Sequence, residues 1–377
     1  MDIHYLDNAA TTKVSDEAAK RALLMMTEKY GNPSSLHKKG IEAEAEVEKA
    51  RASVASSLGV EEKNIFFTSG STESNNTVLF GAANAKKRDG RRIIVSAVEH
   101  PSVYESAEEL KKRGFDVVYA PVDENGVVIL RELEALLTDD TILVSVMAVN
   151  NETGAIQPSE KIGKLVKKKS NAYYHVDAVQ AFGKISVRPK KWQADFLSVS
   201  AHKVHGPKGV GALYIADKAR LTPLHFGGEQ QKKIRPGTEA APLIAAFCAA
   251  VEEFEIEKNL FAVKELNNYS LSELKKIAGI MINSSADALP YVLNLSVDGI
   301  KSETMLHFLA ERGVYISSSS ACAKGKKSYV LKAMGLSDSR IDSSLRISFS
   351  KYNNKNDVDA LIQGLKDGVN TLQRIHR

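Results

Sequence analysis

In the first half of the chain, short unbroken apolar runs alternate with longer segments whose apolar positions recur every third or fourth residue. The runs are Ile65-Phe66-Phe67-Thr68, Ile93-Ile94-Val95-Ser96-Ala97, Val117-Val118-Tyr119, Ile142 to Val149, Tyr174-His175-Val176, Phe196-Leu197-Ser198-Val199 and Gly211 to Ile215. Apolar runs of this length without polar alternation predict strands buried on both faces. Between them, Ala43, Val47, Ala50, Val54 and Leu58 mark one face of a helix that Gly59 stops. Pro101 opens another helix and Gly114 closes it, and Ser159 to Lys169 reads as a third. Strands alternating with helices predict an α/β fold with a mostly parallel sheet, because parallel neighbours need helical crossovers.

After Thr238 the rhythm changes. Glu239 to about Ile277 reads as largely helical, and then strands at Tyr291–Val297, Val314–Ser317 and Leu345–Phe349 intersperse with helices at Glu303–Arg312 and Tyr329–Met334. Val358, Leu361, Ile362, Leu365, Val369 and Leu372 give a closing helix one apolar face. This is the pattern of a second, smaller α+β domain. The expected division is a large domain over 14–255 and a small one built from 1–13 and 256–377.

Composition narrows the function classes. Hydrophobic residues make up 43% and charged residues 26% of 377, which excludes a disordered or fibrous chain. The longest apolar stretch, Pro242–Val251, falls well short of the roughly twenty residues that span a bilayer, so no membrane role is expected. No secretory signal is readable in Met1-Asp2-Ile3-His4, and two cysteines cannot build a disulfide framework, so a cytoplasmic location is expected. A net charge of +5 is too diffuse to indicate direct nucleic-acid binding.

The chemistry concentrates where strands end. Lys203 follows the run ending at Val199, inside Ser200-Ala201-His202-Lys203-Val204-His205-Gly206, the position where α/β sheets place ligands. A lysine there can form a Schiff base, and the adjacent hydroxyl, imidazole and glycine suit a phosphate-bearing carbonyl cofactor, pyridoxal 5'-phosphate above all. Asp177 ends another run; it reads either as a helix cap or as the acid that keeps a pyridine nitrogen protonated. Thr68-Ser69-Gly70-Ser71-Thr72-Glu73 offers small residues at a helix start, as a capping box or as an anion cradle. His100, also after a strand, can stack on a planar ring or move protons near neutral pH. Arg346, flanked by apolar residues, needs an anion: a bound carboxylate or an internal ion pair. Cys322 sits among Ser, Ala, Gly and Lys, where nearby lysines favour the thiolate, whereas Cys248 in Ala245-Ala246-Phe247-Cys248-Ala249 reads as a small core hydrophobe.

Together these segments resemble the cysteine desulfurases, class V enzymes of the fold-type-I pyridoxal-phosphate family. The resemblance runs nearly end to end, through Tyr5-Leu6-Asp7-Asn8-Ala9-Ala10-Thr11-Thr12, Gly31-Asn32-Pro33-Ser34-Ser35, Phe67 to Asn75, Asn150-Asn151-Glu152-Thr153-Gly154, Arg235-Pro236-Gly237-Thr238 and Ser328-Tyr329-Val330-Leu331. It implies that Lys203 carries the cofactor, Asp177 faces its pyridine nitrogen and His100 stacks on its ring. Ser71, Thr72, Ser200 and His202 would bind the phosphate, with Asn151 and Gln180 beside the ring, Gln180 at its phenolic oxygen. Thr238 would reach the phosphate of a neighbouring subunit, implying a homodimer. Arg346, assisted by Asn32, would hold the carboxylate of L-cysteine, and Cys322 would receive the sulfur as a persulfide and pass it to an acceptor protein. No metal is expected.

The implied reaction turns L-cysteine into L-alanine, with the freed Lys203 as base and the Cys322 thiolate as nucleophile. Iron–sulfur cluster assembly and tRNA or cofactor thiolation are the destinations such sulfur serves. The rival readings are a selenocysteine lyase and a class V aminotransferase, which would have no use for Cys322. A non-catalytic scaffold would be signalled by loss of Lys203, Asp177 or Cys322, and all three are present.

Overall fold

The computed structural model describes residues 2–318 and 327–372. The strands are β1 (His4–Tyr5), β2 (Ile65–Thr68), β3 (Arg92–Ser96), β4 (Asp116–Ala120), β5 (Thr141–Ser145), β6 (Tyr173–Asp177), β7 (Phe196–Ser200), β8 (Gly211–Ile215), β9 (Ile280–Ile282), β10 (Val292–Val297), β11 (Val314–Tyr315), β12 (Ser317–Ser318) and β13 (Ser344–Ser348). The helices are α1 (Asp16–Thr27), α2 (Lys38–Leu58), α3 (Ser71–Lys86), α4 (Pro101–Lys112), α5 (Leu130–Leu136), α6 (Ser159–Lys169), α7 (Ala241–Glu252), α8 (Ile256–Leu274), α9 (Ser302–Ala310), α10 (Tyr329–Ala333), α11 (Asp338–Asp342) and α12 (Lys355–Thr371).

Seven strands form one sheet in the order β2-β8-β7-β6-β5-β3-β4. All neighbours pair in parallel except β8, which runs against β2 and β7. The apolar runs predicted this because both faces are covered. Ile93, Val95, Leu143, Phe196 and Leu213 pack with Val78, Leu79, Val103 and Leu110 of α3 and α4. Ile94, Val144, Val176 and Leu197 pack on the other side with Val47, Val54, Ile162 and Phe247 of α2, α6 and α7. Each such side chain contributes roughly 1.5–3 kcal/mol by leaving water.

The expected strand over Ile142–Val149 stops at Ser145. Beyond it the Met147 amide turns to the Glu99 carboxylate at 2.6 Å and leaves the ladder. The single strand expected over Val314–Ser317 is divided at Ile316, since β11 pairs with β1 and β12 with β13.

A second, four-stranded sheet, β12-β13-β10-β9, is antiparallel, and α8, α9 and α12 pack beside it. The N-terminal segment joins the two sheets. β1 pairs with β11, the Ala9 amide reaches Ser348 Oγ at 2.8 Å, and the Thr12 amide reaches the His202 carbonyl at 2.9 Å. Residues 4–12 therefore run from the small sheet to the turn that carries Lys203.

Gly211 marks the tightest crossing near that turn: a Cβ there would lie 2.5 Å from the Val199 carbonyl oxygen and 2.8 Å from Gly70 Cα. Gly211→Ala should cost about 1–3 kcal/mol through forced separation of β7, β8 and the Gly70 loop, measurable by urea unfolding. Wild-type stability in this variant would show that the crossing is looser than described.

Candidate active site

The C-terminal ends of β2, β3, β5, β6 and β7 lie on one edge of the large sheet, and each is followed by a residue singled out above. Asp177 is the last residue of β6 and buried; Ser200 is the last residue of β7 and buried. Lys203 follows on a short 3-10 turn. Its Nζ donates to the Ala9 and Ala10 carbonyls, both at 2.7 Å. The amine is pushed down to about 8, first by burial and then by Arg346, while Asp7 and Asp177 pull the other way. It is therefore closer to a free base at neutral pH than an exposed lysine.

Of the two readings its position suggested, Asp177 displays the cap. Oδ1 caps the local turn by accepting from the Val179 amide at 3.0 Å, and Oδ2 accepts from Asn75 Nδ2 at 2.7 Å. Asn75 Nδ2 also donates to Ser102 Oγ at 2.8 Å, and that oxygen lies 2.8 Å from His100 Nδ1. The Ser102 amide donates to the same Nδ1 at 3.1 Å. A backbone N–H can only donate, so Nδ1 is the acceptor and the ring proton belongs on Nε2. Burial lowers the His100 pKa, with Asp177 opposing the shift and Lys203 adding to it. Asn75 and Ser102 thus link Asp177 to His100; neither was singled out in the sequence, where a buried Asn inside a helix leaves no local signal.

The helix start at Ser71 is open to an anion. Gly70, with φ of 147°, precedes it and no side chain caps the helix. Only half of a capping box forms: Glu73 Oε2 accepts the Ser69 amide at 2.9 Å. A Cβ at Gly70 would meet just one atom within 4 Å, Ser200 Oγ at 3.8 Å, so the glycine borders free space beside that hydroxyl. Ser71 and Thr72 lie in the first turn, and His202 Nδ1 is 3.2 Å from Thr11 Oγ1. Burial pushes His202 down to about 4, so it is neutral. Uncapped amides, hydroxyls and a neutral imidazole around an open space are a donor set that fits a phosphate, and Lys203 and Asp177 complete the fit to pyridoxal phosphate.

Arg346 projects from β13. Its Nη2 pairs with Asp7 Oδ1 at 3.0 Å and Nη1 donates to the Asn151 carbonyl at 3.1 Å, while the buried Nε has no partner among the described residues. The internal ion pair exists, and it leaves donor capacity on the guanidinium. Asp7, which also accepts from Ser317 Oγ at 2.8 Å, is a site residue not anticipated in this role. Gln180 is buried, and its Nε2 donates to the Ala9 carbonyl at 3.0 Å.

Other positions stand apart. Asn32 is exposed, and its Oδ1 accepts the Ser34 amide at 3.0 Å. Thr238 is exposed, and nearby Arg235 pairs with Glu73 at 3.1 Å. Cys322 lies outside the described residues. Just past them, Ser328 caps α10 and donates to Glu152 Oε2 at 2.6 Å; burial pushes Glu152 up to about 7. Burial raises Glu99 to about 8, and its Oε1 accepts from Ser96 and from the Met147 amide. Cys248 is buried on α7 as expected.

An aminotransferase class-V family model matches residues 4–361. A cysteine desulfurase IscS of Methanosarcina thermophila is 39% identical, over 98% of this chain and 93% of that one. The mitochondrial cysteine desulfurase of Saccharomyces cerevisiae is 39% identical over 98% and 76%. Among solved structures, a NifS-like protein has a TM-score of 0.93 at 40% identity, covering 99% of this chain and 100% of that one. Another, described as SspA in complex with cysteine, has a TM-score of 0.84 at 32% identity, covering 93% and 100%. The chain belongs to the class-V aminotransferase family, whose fold-type-I architecture its large sheet displays. Within that family it is one of the cysteine desulfurases, which depend on pyridoxal phosphate.

Because the Lys203 pKa is lowered, its amine should become reactive at lower pH than an ordinary lysine. In the cofactor-free protein, acylation of Lys203 by an amine reagent, followed by peptide mass spectrometry, should rise with a midpoint near pH 8. A midpoint at the ordinary lysine value of about 10.4 would contradict the buried, cation-flanked setting.

Proposed function

We propose the following division of labour for this cysteine desulfurase. Lys203 holds pyridoxal phosphate, Asp177 faces its ring nitrogen, and Ser71, Thr72, Ser200 and His202 bind its phosphate. The observation that carries this reading is the convergence of a partly deprotonated lysine, a buried aspartate and an uncapped helix start on one sheet edge. Bound there, the cofactor supplies an electron sink that eases loss of the substrate Cα proton.

The chain's own residues do the rest. Asp177, fixed by Asn75 and by the Val179 amide, presents a negative charge from the sheet edge. His100, neutral with its proton on Nε2, stacks and can donate from that atom. The Arg346 guanidinium receives the L-cysteine carboxylate on nitrogen left free by Asp7, and Asn32 assists when brought near. Lys203, once free, takes the Cα proton on Nζ, for which a pKa near 8 suits it. The Cys322 thiolate then attacks the substrate sulfur: an S–S bond forms, the Cβ–S bond breaks with its electron pair left on carbon, and protonation of carbon releases L-alanine. The persulfide sulfur passes to an acceptor protein serving iron–sulfur cluster assembly or thiolation.

Residues 14–255 act as the large cofactor-binding domain, and 1–13 with 256–377 as the small domain that brings Arg346 and Cys322. A homodimer is supported by the exposure of Thr238 and by apolar side chains left in water. Leu36 is 96% and Phe226 87% exposed, and Leu23, Met26 and Ile41 are also exposed. A second copy of the chain would cover such a surface. The reading also places the protein in the cytoplasm; among the described residues no helix is long and apolar enough to cross a membrane.

The test is to treat the PLP-loaded protein with L-cysteine, without reductant, and map the product. One added sulfur atom should appear on Cys322, with alanine released, and Cys322→Ser should abolish both. Sulfur on Cys248, or turnover with no sulfur on either cysteine, would refute the desulfurase route in favour of an aminotransferase.

Arg346→Ala should weaken cysteine binding by roughly 2–4 kcal/mol while the visible absorbance of the loaded protein persists. Loss of that absorbance would mean that Arg346 serves only its ion pair with Asp7.

A further inference from the structure

Lys184 is the one buried lysine in the described chain that the reaction above does not use. It is 6% exposed. It follows Gly183, whose φ is 70° and whose absent Cβ would lie 2.7 Å from the Phe254 ring and 3.0 Å from Val204. That close approach turns Lys184 inward. It lines the same small cavity as Lys203, with His205, Glu253, Tyr291 and Lys351 on the remaining walls.

A buried ammonium ordinarily sits against a carboxylate, because desolvation is otherwise uncompensated. No carboxylate lies within ion-pair distance of Lys184 among the described residues. Its hydrogen-bond partner is the side-chain oxygen of Gln180: Nζ donates to Oε1 at 2.8 Å. The Tyr291 ring centroid lies 5.7 Å from Nζ. Burial, with Lys203 and Arg346, pushes the Lys184 amine down to about 7. An aliphatic side chain would fill this space at no such cost, so packing alone does not account for a lysine.

Its effect falls on Gln180. The two ends of an amide are nearly the same shape, and their partners decide which way it points. A lysine ammonium can only donate, so in that form it fixes Oε1 toward itself. Nε2 is then turned to the Ala9 carbonyl, at 3.0 Å. That carbonyl is also an acceptor for Lys203 Nζ, at 2.7 Å. Gln180 thus presents an N–H, not an oxygen, on the side of the pocket where Lys203 sits. We propose that Lys184 is a positioning residue that locks the Gln180 amide with Nε2 facing the Lys203 pocket, so that Gln180 offers a hydrogen-bond donor to an electron-rich oxygen of the bound cofactor.

This rests on the reading that Lys203 carries pyridoxal phosphate beside Gln180, and that reading is checked separately: Lys203→Ala must remove the visible absorbance band of the loaded protein. The proposal is tested with Lys184→Met, Gln180→Leu, their double variant and Gln180→Glu, each loaded with pyridoxal phosphate. The readouts are the position of the visible band and the rate of cofactor release. Lys184→Met should displace the band and speed release about tenfold, the size of one lost hydrogen bond. Gln180→Leu should do the same, and the double variant should do no more than Gln180→Leu alone, because Lys184 acts through Gln180. Gln180→Glu keeps an acceptor for Lys184 but has no N–H to offer. It should displace the band without lowering the thermal midpoint, which keeps the test decisive even if Lys184→Met does not fold. Additive effects in the double variant, or a wild-type band and release rate in either Lys184→Met or Gln180→Glu, would overturn the proposal.

Discussion

The site depends on one constraint: strands buried on both faces must end at a common edge, and only there does backbone give way to free side chains. β3, β5, β6 and β7 run in parallel, so their C-terminal ends place His100, Asn151, Asp177 and the Ser200–Lys203 turn side by side without any long-range design of loops. β8 runs the other way, and its first residue, Gly211, reaches the same edge from the opposite direction. The absence of a side chain there lets the Gly70 loop lie against the sheet. Helix start and lysine turn therefore face each other across a gap whose width is set by packing.

Electrostatics at that edge is dominated by cations held with few counter-charges. Lys203, Lys184 and Arg346 influence one another, and each of the two lysines loses basicity to burial first and to the neighbouring cations second. Asp177 and Asp7 are the opposing charges, and both are tied down by hydrogen bonds. The result is an arrangement that favours anionic ligands and keeps Lys203 near the protonation balance that a base and nucleophile at neutral pH requires. The buried imidazole of His175, between Ser145 Oγ at 2.8 Å and Ser198 Oγ at 3.1 Å, is pushed down to about 3 and adds no charge. Polar residues under the sheet edge can thus be numerous without disturbing that balance.

Much of this was legible in the sequence, for a physical reason. Strands buried on both faces are nearly continuous apolar runs, and the polar residues just after each run lie at the sheet edge; Asp177 and Ser200 directly follow their runs, and His100 follows its run after Val98 and Glu99. Side chains that act through other side chains left no such mark. Asn75 sits within helix α3 and Ser102 within the first turn of α4, and they gain their roles from partners far along the chain; Lys184 follows a glycine in a loop and takes its role from Gln180, four residues before it, through a burial that its sequence neighbours do not mark. Short elements were also hidden: β9 spans Ile280–Ile282, is half-buried throughout and is defined only by pairing with β10. Arg346 stood between an ion pair and a substrate contact because its sequence neighbours fix that it is buried but not what it faces. Asp7, which decides half of that question, lies at the other end of the chain.

The central claim is that Lys203, on the turn after β7, is the amine that holds the cofactor. Borohydride reduction of the PLP-loaded protein, followed by digestion and peptide mass spectrometry, tests it directly. The account predicts a pyridoxyl group on Lys203 and on no other lysine. Label on Lys184, which shares the cavity, or on the exposed Lys208 nearby would contradict it.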